Sequence, residues 1–374
     1  MSRYRVGLAL LLLVPLPGAG PAFGQERALR PAGTLGIGVD RSASLSFGDV
    51  DGDGDLDIVV ANGRHWPAQN EIFLNDGTGG FVVSRSLGLE RATSYAARLA
   101  DFDGDGDLDI ATGNDRARNL VFRNDGTGRF EEIGSFGSPA STRNLTIADL
   151  NGDGHADILV VNRGQQNTIH FGDGGGGFSS SRPFGSGDDS TIHVEAADLD
   201  GDADPDLVLA NRDGQPNFAY LNDGQGNFGT PIPFGSGHDE TRSVAVADMN
   251  GDDRLDIITG NIGEPNGVYF GDGAGGFEAG LEFGGEGDNT YSIAIADLDL
   301  DGDMDVVVGN VGAQNAVYFN QAGVGFAEER FGCAECATYT VAIGDMNGDG
   351  YPDVAVANSG SENAVYGNVP RSPQ

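Results

Sequence analysis

Short apolar runs recur along the whole chain, separated by stretches of Asp, Gly and Asn, and none shows the three-to-four spacing of an amphipathic helix. One copy of the pattern displays its parts plainly. Ser94 to Asp101 alternates as a strand does, Asp109 to Gly113 is an apolar run of strand length, and Asn119 to Asn124 and Arg129 to Ile133 form two more strands. The last two are joined by NDGTG, whose Asp-Gly step supplies the positive φ of a hairpin turn. The pattern predicts four antiparallel strands per copy.

The first and second strands of a copy are joined by an acidic loop, DVDGDGDLD at Asp49 to Asp57 in its first appearance. Equivalent loops begin at Asp101, Asp149, Asp198, Asp248, Asp297 and Asp345, with spacings of 52, 48, 49, 50, 49 and 48 residues. Seven copies at one period predict a repeat architecture, here an all-β, seven-bladed β-propeller of four-stranded blades. The seventh copy stops at Asn368 after its third strand, and Gly33 to Gly38 precedes the first loop's strand with no copy of its own. An N-terminal strand is therefore expected to complete the last blade, so that no open edge remains.

The acidic loop is costly without a cation. Carboxylates roughly 5 Å apart at an effective dielectric near 20 repel by about 3 kcal/mol per pair. Carboxylates at positions 1, 3 and 5, Gly at 6 and a main-chain carbonyl at 7 follow the grammar of a calcium-binding EF-hand loop through position 9; the bidentate Glu of position 12 is missing, Val60 standing there. The expected ligands in the first two loops are Asp49, Asp51, Asp53, Asp55 and Asp57, then Asp101, Asp103, Asp105, Asp107 and Asp109. In the third and fourth they are Asp149, Asn151, Asp153, His155 and Asp157, then Asp198, Asp200, Asp202, Asp204 and Asp206. The fifth offers Asp248, Asn250, Asp252, Arg254 and Asp256, and the sixth Asp297, Asp299, Asp301, Asp303 and Asp305. The seventh offers Asp345, Asn347, Asp349, Tyr351 and Asp353; in every loop the seventh residue acts through its backbone carbonyl. Up to seven Ca2+ ions are expected. Loops 4 and 5 should bind most weakly, because Ala203 and Asp253 replace the Gly of position 6, and Asn at position 3 lowers the charge of loops 3, 5 and 7.

Motifs such as DFDGDGDLDIATGN followed by NLVFRNDGTGRF resemble the FG-GAP or VCBS repeats of the integrin α-subunit propeller and of secreted bacterial proteins, over residues 33 to 368. Phe-Gly pairs survive at Phe136-Gly137, Phe184-Gly185, Phe234-Gly235, Phe283-Gly284 and Phe331-Gly332. The resemblance implies a propeller with structural calcium on its lower face, and says little about activity.

Function is then expected on the opposite face. Seven residues before each loop stands a hydroxyl, Ser42, Ser94, Thr142, Thr191, Thr241, Thr290 or Thr338, and a residue type shared by every blade points to scaffolding. The next position varies: Tyr95, Arg143, Arg242, Tyr291 and Tyr339, with Ala43 and Ile192 in the other two copies. Tyr and Arg anchor binding surfaces, which makes these five ligand candidates; packing of the strand end is the alternative. Trp66 joins them from a second-to-third-strand loop three residues longer than usual, either to stack on a ligand or to lie on its own blade. Alternation turns Arg98, Asn144, His193 and Glu195 toward the central channel, as an acid, a base and an anion clamp or as a self-neutralising set. Cys333 and Cys336, three apart in a loop, are expected to form a disulfide.

Residues 1 to 24 read as a secretory signal, with Arg3 and Arg5, an apolar run from Val6 to Leu16 and small residues Ala22 and Gly24 at the cleavage point. The propeller would span 25 to 368, with a short tail at 369 to 374. The chain carries 62 Gly, 57 acidic residues, no Lys and a formal net charge of −36, which argues against nucleic acid and anionic membranes as partners. With no nucleophile elbow, HExxH or phosphate loop, the sequence points to a secreted or periplasmic binding or adhesion module, with no membrane insertion after signal cleavage. Its ligand would be a carbohydrate or an extracellular protein. The alternative is a carbohydrate-active enzyme, a polysaccharide lyase or sugar dehydratase, working near the channel.

Overall fold

In a computed structural model that describes residues 27–36, 38–81, 83–285 and 287–371, the chain forms seven four-stranded antiparallel sheets. The segment at 1 to 24, expected to be a secretory signal, lies outside the described residues. Within each sheet the strands follow one another outward from the axis; the second blade runs Ser94–Ala100, Asp109–Asn114, Asn119–Asn124 and Phe130–Phe136. Every second strand is buried along its whole length. That is why its sequence is continuously apolar where the inner strand alternates: it is covered on both faces by neighbouring blades. Seven hydrophobic clusters result, each a seam between adjacent blades. Seven seams for seven blades make a closed ring.

The ring is closed by an N-terminal strand, Arg27–Leu35, which pairs antiparallel with Asn363–Pro370 on the outside of the last blade. It starts earlier than the Gly33 to Gly38 segment suggests, and its partner runs beyond Asn368. Pro31 and a bulge between Pro31 and Gly33 break its alternation and hide it in the sequence.

Two polar relays stitch the blades. On the upper side the shared hydroxyl accepts from the third-strand Asn of the preceding blade in blades 1, 2, 4, 5 and 6 and donates to an Asn of its own second strand in all but blade 4, as in Asn70 Nδ2 to Ser94 Oγ at 3.0 Å and Ser94 Oγ to Asn114 Oδ1 at 2.7 Å. The last blade joins the first in the same way, Asn363 Nδ2 donating to Ser42 Oγ at 2.9 Å. On the lower side the Asn opening the hairpin reaches the neighbouring loop, Asn75 Nδ2 donating to Met346 O at 2.8 Å and Asn124 Nδ2 to Val50 O at 2.8 Å. Among the described residues no helix is long and apolar enough to cross a membrane.

Candidate functional site

The acidic loops and the hairpins share the lower face: the tip glycine Gly77 sits against the Asp55 carboxylate, and Gly126 against Asp107. Each loop is anchored by a buried apolar second residue such as Val50 or Leu150 and by the Asp at position 9. Asp57 is typical, accepting from Val50 N at 3.0 Å and Asn75 N at 2.8 Å; burial pushes it up to about 6. The position 1 carboxylate shapes the turn, Asp49 accepting from Gly52 N at 2.8 Å and Gly54 N at 3.0 Å.

Whether these residues suit a cation can be judged from loop 1. Asp49, Asp51 and Asp53 offer oxygens within 4.8 Å of one another, and Asp51 Oδ1 is buried without a hydrogen-bond partner. Burial and the charges of Asp53 and Asp49 raise its pKa. An orphaned acceptor among carboxylates fits a hard cation. Comparable groups form at Asp101, Asp103 and Asp109, at Asp198, Asp200 and Asp206, and at Asp297, Asp299 and Asp305. Loop 4 thus keeps its acidic cluster even though Ala203 is held at φ 74°. In loop 5, Asp253 is at φ 63° and Arg254 folds its guanidinium onto Asp252, so a side-chain cation already stands against an expected ligand. Two features escaped sequence reasoning. Leu300, at position 4 of loop 6, sits at φ 58° where the other six loops have Gly, and Arg27 of the closing strand lies 3.6 Å from Asp349 in loop 7. The first was visible as a broken Gly column; the second needed the strand pairing.

The upper face carries the variable residues, and a β-bulge aims them. In all seven inner strands the register shifts immediately after the shared hydroxyl, so the bulged residue is Ala43, Tyr95, Arg143, Ile192, Arg242, Tyr291 or Tyr339. Strict alternation would send these residues between blades; the bulge lets all but Ile192 line the mouth of a central cavity of about 550 Å³, five of them Tyr or Arg. They interlock. Arg143 lies over the Tyr95 ring at 4.2 Å, Arg242 over Tyr291 at 5.2 Å, Arg64 over Tyr339 at 3.9 Å, and Tyr291 meets Tyr339 edge-on at 4.9 Å. Tyr95 and Tyr339 are buried by this packing, so strand-end packing and an exposed edge coexist in them. Trp66 does not lie on its blade; it is 64 % exposed, with Arg41 5.8 Å from its ring. The sulfurs of Cys333 and Cys336 are joined, with Cα atoms 5.4 Å apart.

Deeper in the cavity, one wall is polar and the other small. Arg98, Asn144, His193 and Glu195 come from blades 2 to 4, facing Ala245, Ala294 and Ala342 of blades 5 to 7. Arg98 Nη2 donates to Asn144 Oδ1 at 3.3 Å, and His193 Nε2 is 4.0 Å from Glu195 Oε2. His193 Nδ1 accepts from Val244 N at 3.2 Å, the place that Ser243 and Ser292 fill toward Ile293 N and Val341 N. Burial, then Arg98 and Arg242, hold His193 down to about 3, so it is neutral with its proton on Nε2. Burial raises Glu195 to about 7 against the pull of Arg98, although 39 % of its side chain still meets the water of the channel.

Fold and loops together define a seven-bladed propeller with one acidic loop per blade. The FG-GAP-like repeat family matches at residues 49–112, 101–160, 149–209, 198–259 and 297–356, more than half of the chain, which therefore belongs to that family. No curated protein sequence matches it. Among solved structures it is similar to BBS1N in complex with ARL6DN, at 10% identity and TM-score 0.63 over 93% of this chain and 98% of that one. It is also similar to an Agrocybe aegerita lectin recognising non-reducing terminal N-acetylglucosamine, at 21% identity and TM-score 0.55 over 78% and 80%. A third is the extracellular domain of a putative one-component system from B. thetaiotaomicron, at 11% identity and TM-score 0.57 over 91% of this chain and 40% of that one. At these identities the likeness is one of fold.

Proposed function

We propose that the protein is an exported, calcium-loaded binding module that takes a carbohydrate or an extracellular protein at the channel mouth, on the face opposite the acidic loops. One observation carries this: the bulge repeated in seven inner strands turns a blade-specific set of Tyr and Arg residues onto a single opening. Seven versions of one acidic loop suit a set of ions; a varied ring suits an asymmetric ligand. The lectin, which recognises non-reducing terminal N-acetylglucosamine, supports this reading as a protein of similar fold that takes a sugar. Calcium at the acidic loops would supply charge neutralisation and fix the lower face, held by the carboxylates of positions 1, 3, 5 and 9.

A glycan and protein screen, run with calcium and with chelator, tests the reading. Calcium should raise the melting temperature, since each site filled at a hundredfold excess over its Kd contributes about 2.7 kcal/mol. Once a ligand is found, Tyr291→Ala should weaken it by about 1 to 3 kcal/mol with the calcium-dependent melt unchanged. Binding abolished by hairpin changes at Thr78 or Thr127 but indifferent to Tyr291 would place the site on the wrong face. The enzymatic alternative keeps one supporting observation, Glu195 held near neutrality beside His193, as acid–base chemistry requires. Release of new reducing ends from polysaccharides, lost in Glu195→Gln, would favour it.

A further inference from the structure

We propose that the funnel is built for the carboxylate of an acidic sugar, a uronic acid, with Arg242 and Arg98 as the groups that receive it. The inference rests on the reading that ligand enters at the channel mouth. It starts from a charge imbalance. In a chain of net charge −36, three guanidinium groups, Arg98, Arg143 and Arg242, line this cavity, and Arg64 stands at its rim.

Only one of the three has an ion pair in place, Arg143 Nη1 meeting Asp115 Oδ1 at 2.9 Å; Glu195 acts on Arg98 from beyond ion-pair distance. Arg98 donates to Ser46 Oγ, Ala97 O and Asn144 Oδ1, and no carboxylate comes within ion-pair distance of it among the described residues. Arg242 makes no hydrogen bond or ion pair among the described residues; its one neighbour of note is the face of Tyr291. Burial, with Arg212 and Arg64 nearby, lowers Arg242 to about 10. Arg242 is half-buried, so its guanidinium faces the cavity with no anion paired to it, and a ligand carboxylate would complete the pair. His193, neutral, adds its Nε2 proton to the donors that line the same cavity.

The remaining lining suits a sugar ring. The hydroxyls of Ser44, Ser243 and Ser292 accept from backbone N–H groups of the next blade, which leaves each O–H free to donate into the cavity. Tyr95, Tyr291 and Tyr339 provide aromatic edges at the mouth, and Ala245, Ala294 and Ala342 keep one side clear. About 550 Å³ is room for one or two saccharide units.

The test is calorimetric titration of the calcium-loaded chain with D-galacturonate and D-glucuronate, beside galactose and glucose as neutral parents, each to millimolar concentration. At least one uronate should bind, with its neutral parent ten-fold weaker or more, and added salt should weaken the uronate alone. Arg242→Gln should lower uronate affinity about ten-fold or more with the melting temperature unchanged, because among the described residues the side chain makes no hydrogen bond or ion pair for the variant to lose. Arg98→Gln should act in the same direction. A melting temperature that falls in Arg242→Gln while uronate affinity holds would make that residue scaffolding and overturn the proposal. So would equal binding of acid and neutral sugars, or no uronate binding. Binding of a neutral glycan that is lost in Tyr291→Ala would overturn the acidic-sugar proposal alone and leave the mouth as the binding face; glycan or protein binding indifferent to Tyr291 would remove both.

Discussion

The closing strand acts as a clasp with two hooks, and its leucines should matter far more than residues near a chain end usually do. Leu29 belongs to the seam between blades 6 and 7, with Leu298, Val307 and Phe331, whereas Leu35 belongs to the seam between blades 7 and 1, with Leu45, Ile58 and Phe73. Six positions apart, the two would share one face of a regular strand. The bulge between Pro31 and Gly33 sets them opposite partners five apart, Asn368 and Asn363, and so on opposite faces. Both are buried, Leu35 the more completely. A buried Leu→Ala change costs about 2 to 5 kcal/mol. With Ala28 alongside and Leu29 nearer the strand's end, about 2 kcal/mol is expected for Leu29→Ala and about 3 kcal/mol for Leu35→Ala.

Because the two side chains lie in different seams, the double variant should lose their sum, about 5 kcal/mol, which approaches the whole stability of a marginal domain. Urea unfolding at saturating calcium reads this best by far-UV circular dichroism, since Trp66 is exposed in the folded state and reports poorly on the core. Deleting Ala32, the unpaired residue of the bulge, is the control. It regularises the strand while leaving Leu29 and Leu35 opposite the same partners, and should cost under about 1 kcal/mol. If both leucine variants unfold within about 0.5 kcal/mol of the parent, the strand is no clasp and the seams close without it.

Leu300→Gly should stabilise the protein by about 0.5 to 1 kcal/mol, the left-handed strain of Leu being partly offset by the freedom Gly regains on unfolding, and should raise the calcium-loaded melting temperature by about 1 °C; no gain would mean that loop 6 relaxes around Leu300. Glu195→Gln should be pH-dependent. Burial raises Glu195 from 4.5 to about 7, so the folded state holds its proton longer than the unfolded chain and the parent loses stability as pH rises through that window. The variant should therefore match the parent near pH 4 and exceed it above pH 7 by about 1 kcal/mol, a figure discounted because the side chain still meets water. A gain at acid pH in place of neutral pH would reverse the assignment.

The repeat was readable because each blade solves the same burial problem with the same residues. The apolar second strand, the alternating inner strand and the Asp-Gly hairpin are local patterns whose period survives any reading error of a residue or two. The shared hydroxyls likewise declared themselves as scaffold by recurring. What stayed hidden depends on partners far away in sequence. The Asn that ends the third strand in blades 1, 2, 4, 6 and 7, ahead of an Asp-Gly in the first three of these, reads as turn chemistry, yet its side chain reaches a carbonyl of the adjoining loop, Asn368 to Leu298 O at 2.7 Å among them. Nothing local distinguishes that Asn from an ordinary turn residue.

The channel mouth was readable as a list and unreadable as a surface. Alternation alone assigns Tyr95 and Arg143 to the interblade side, and only the register shift in every inner strand reverses that assignment. The bulge leaves no composition signal, because the residue it turns is large in five blades and small or apolar in two. What the sequence does contain is variation confined to one position beside an invariant hydroxyl. A scaffold that must stay closed fixes the hydroxyl, which ties two blades together, and leaves its neighbour free of packing duty once the bulge lifts it out of the seam. The residue released from the fold in this way is the one available to a ligand.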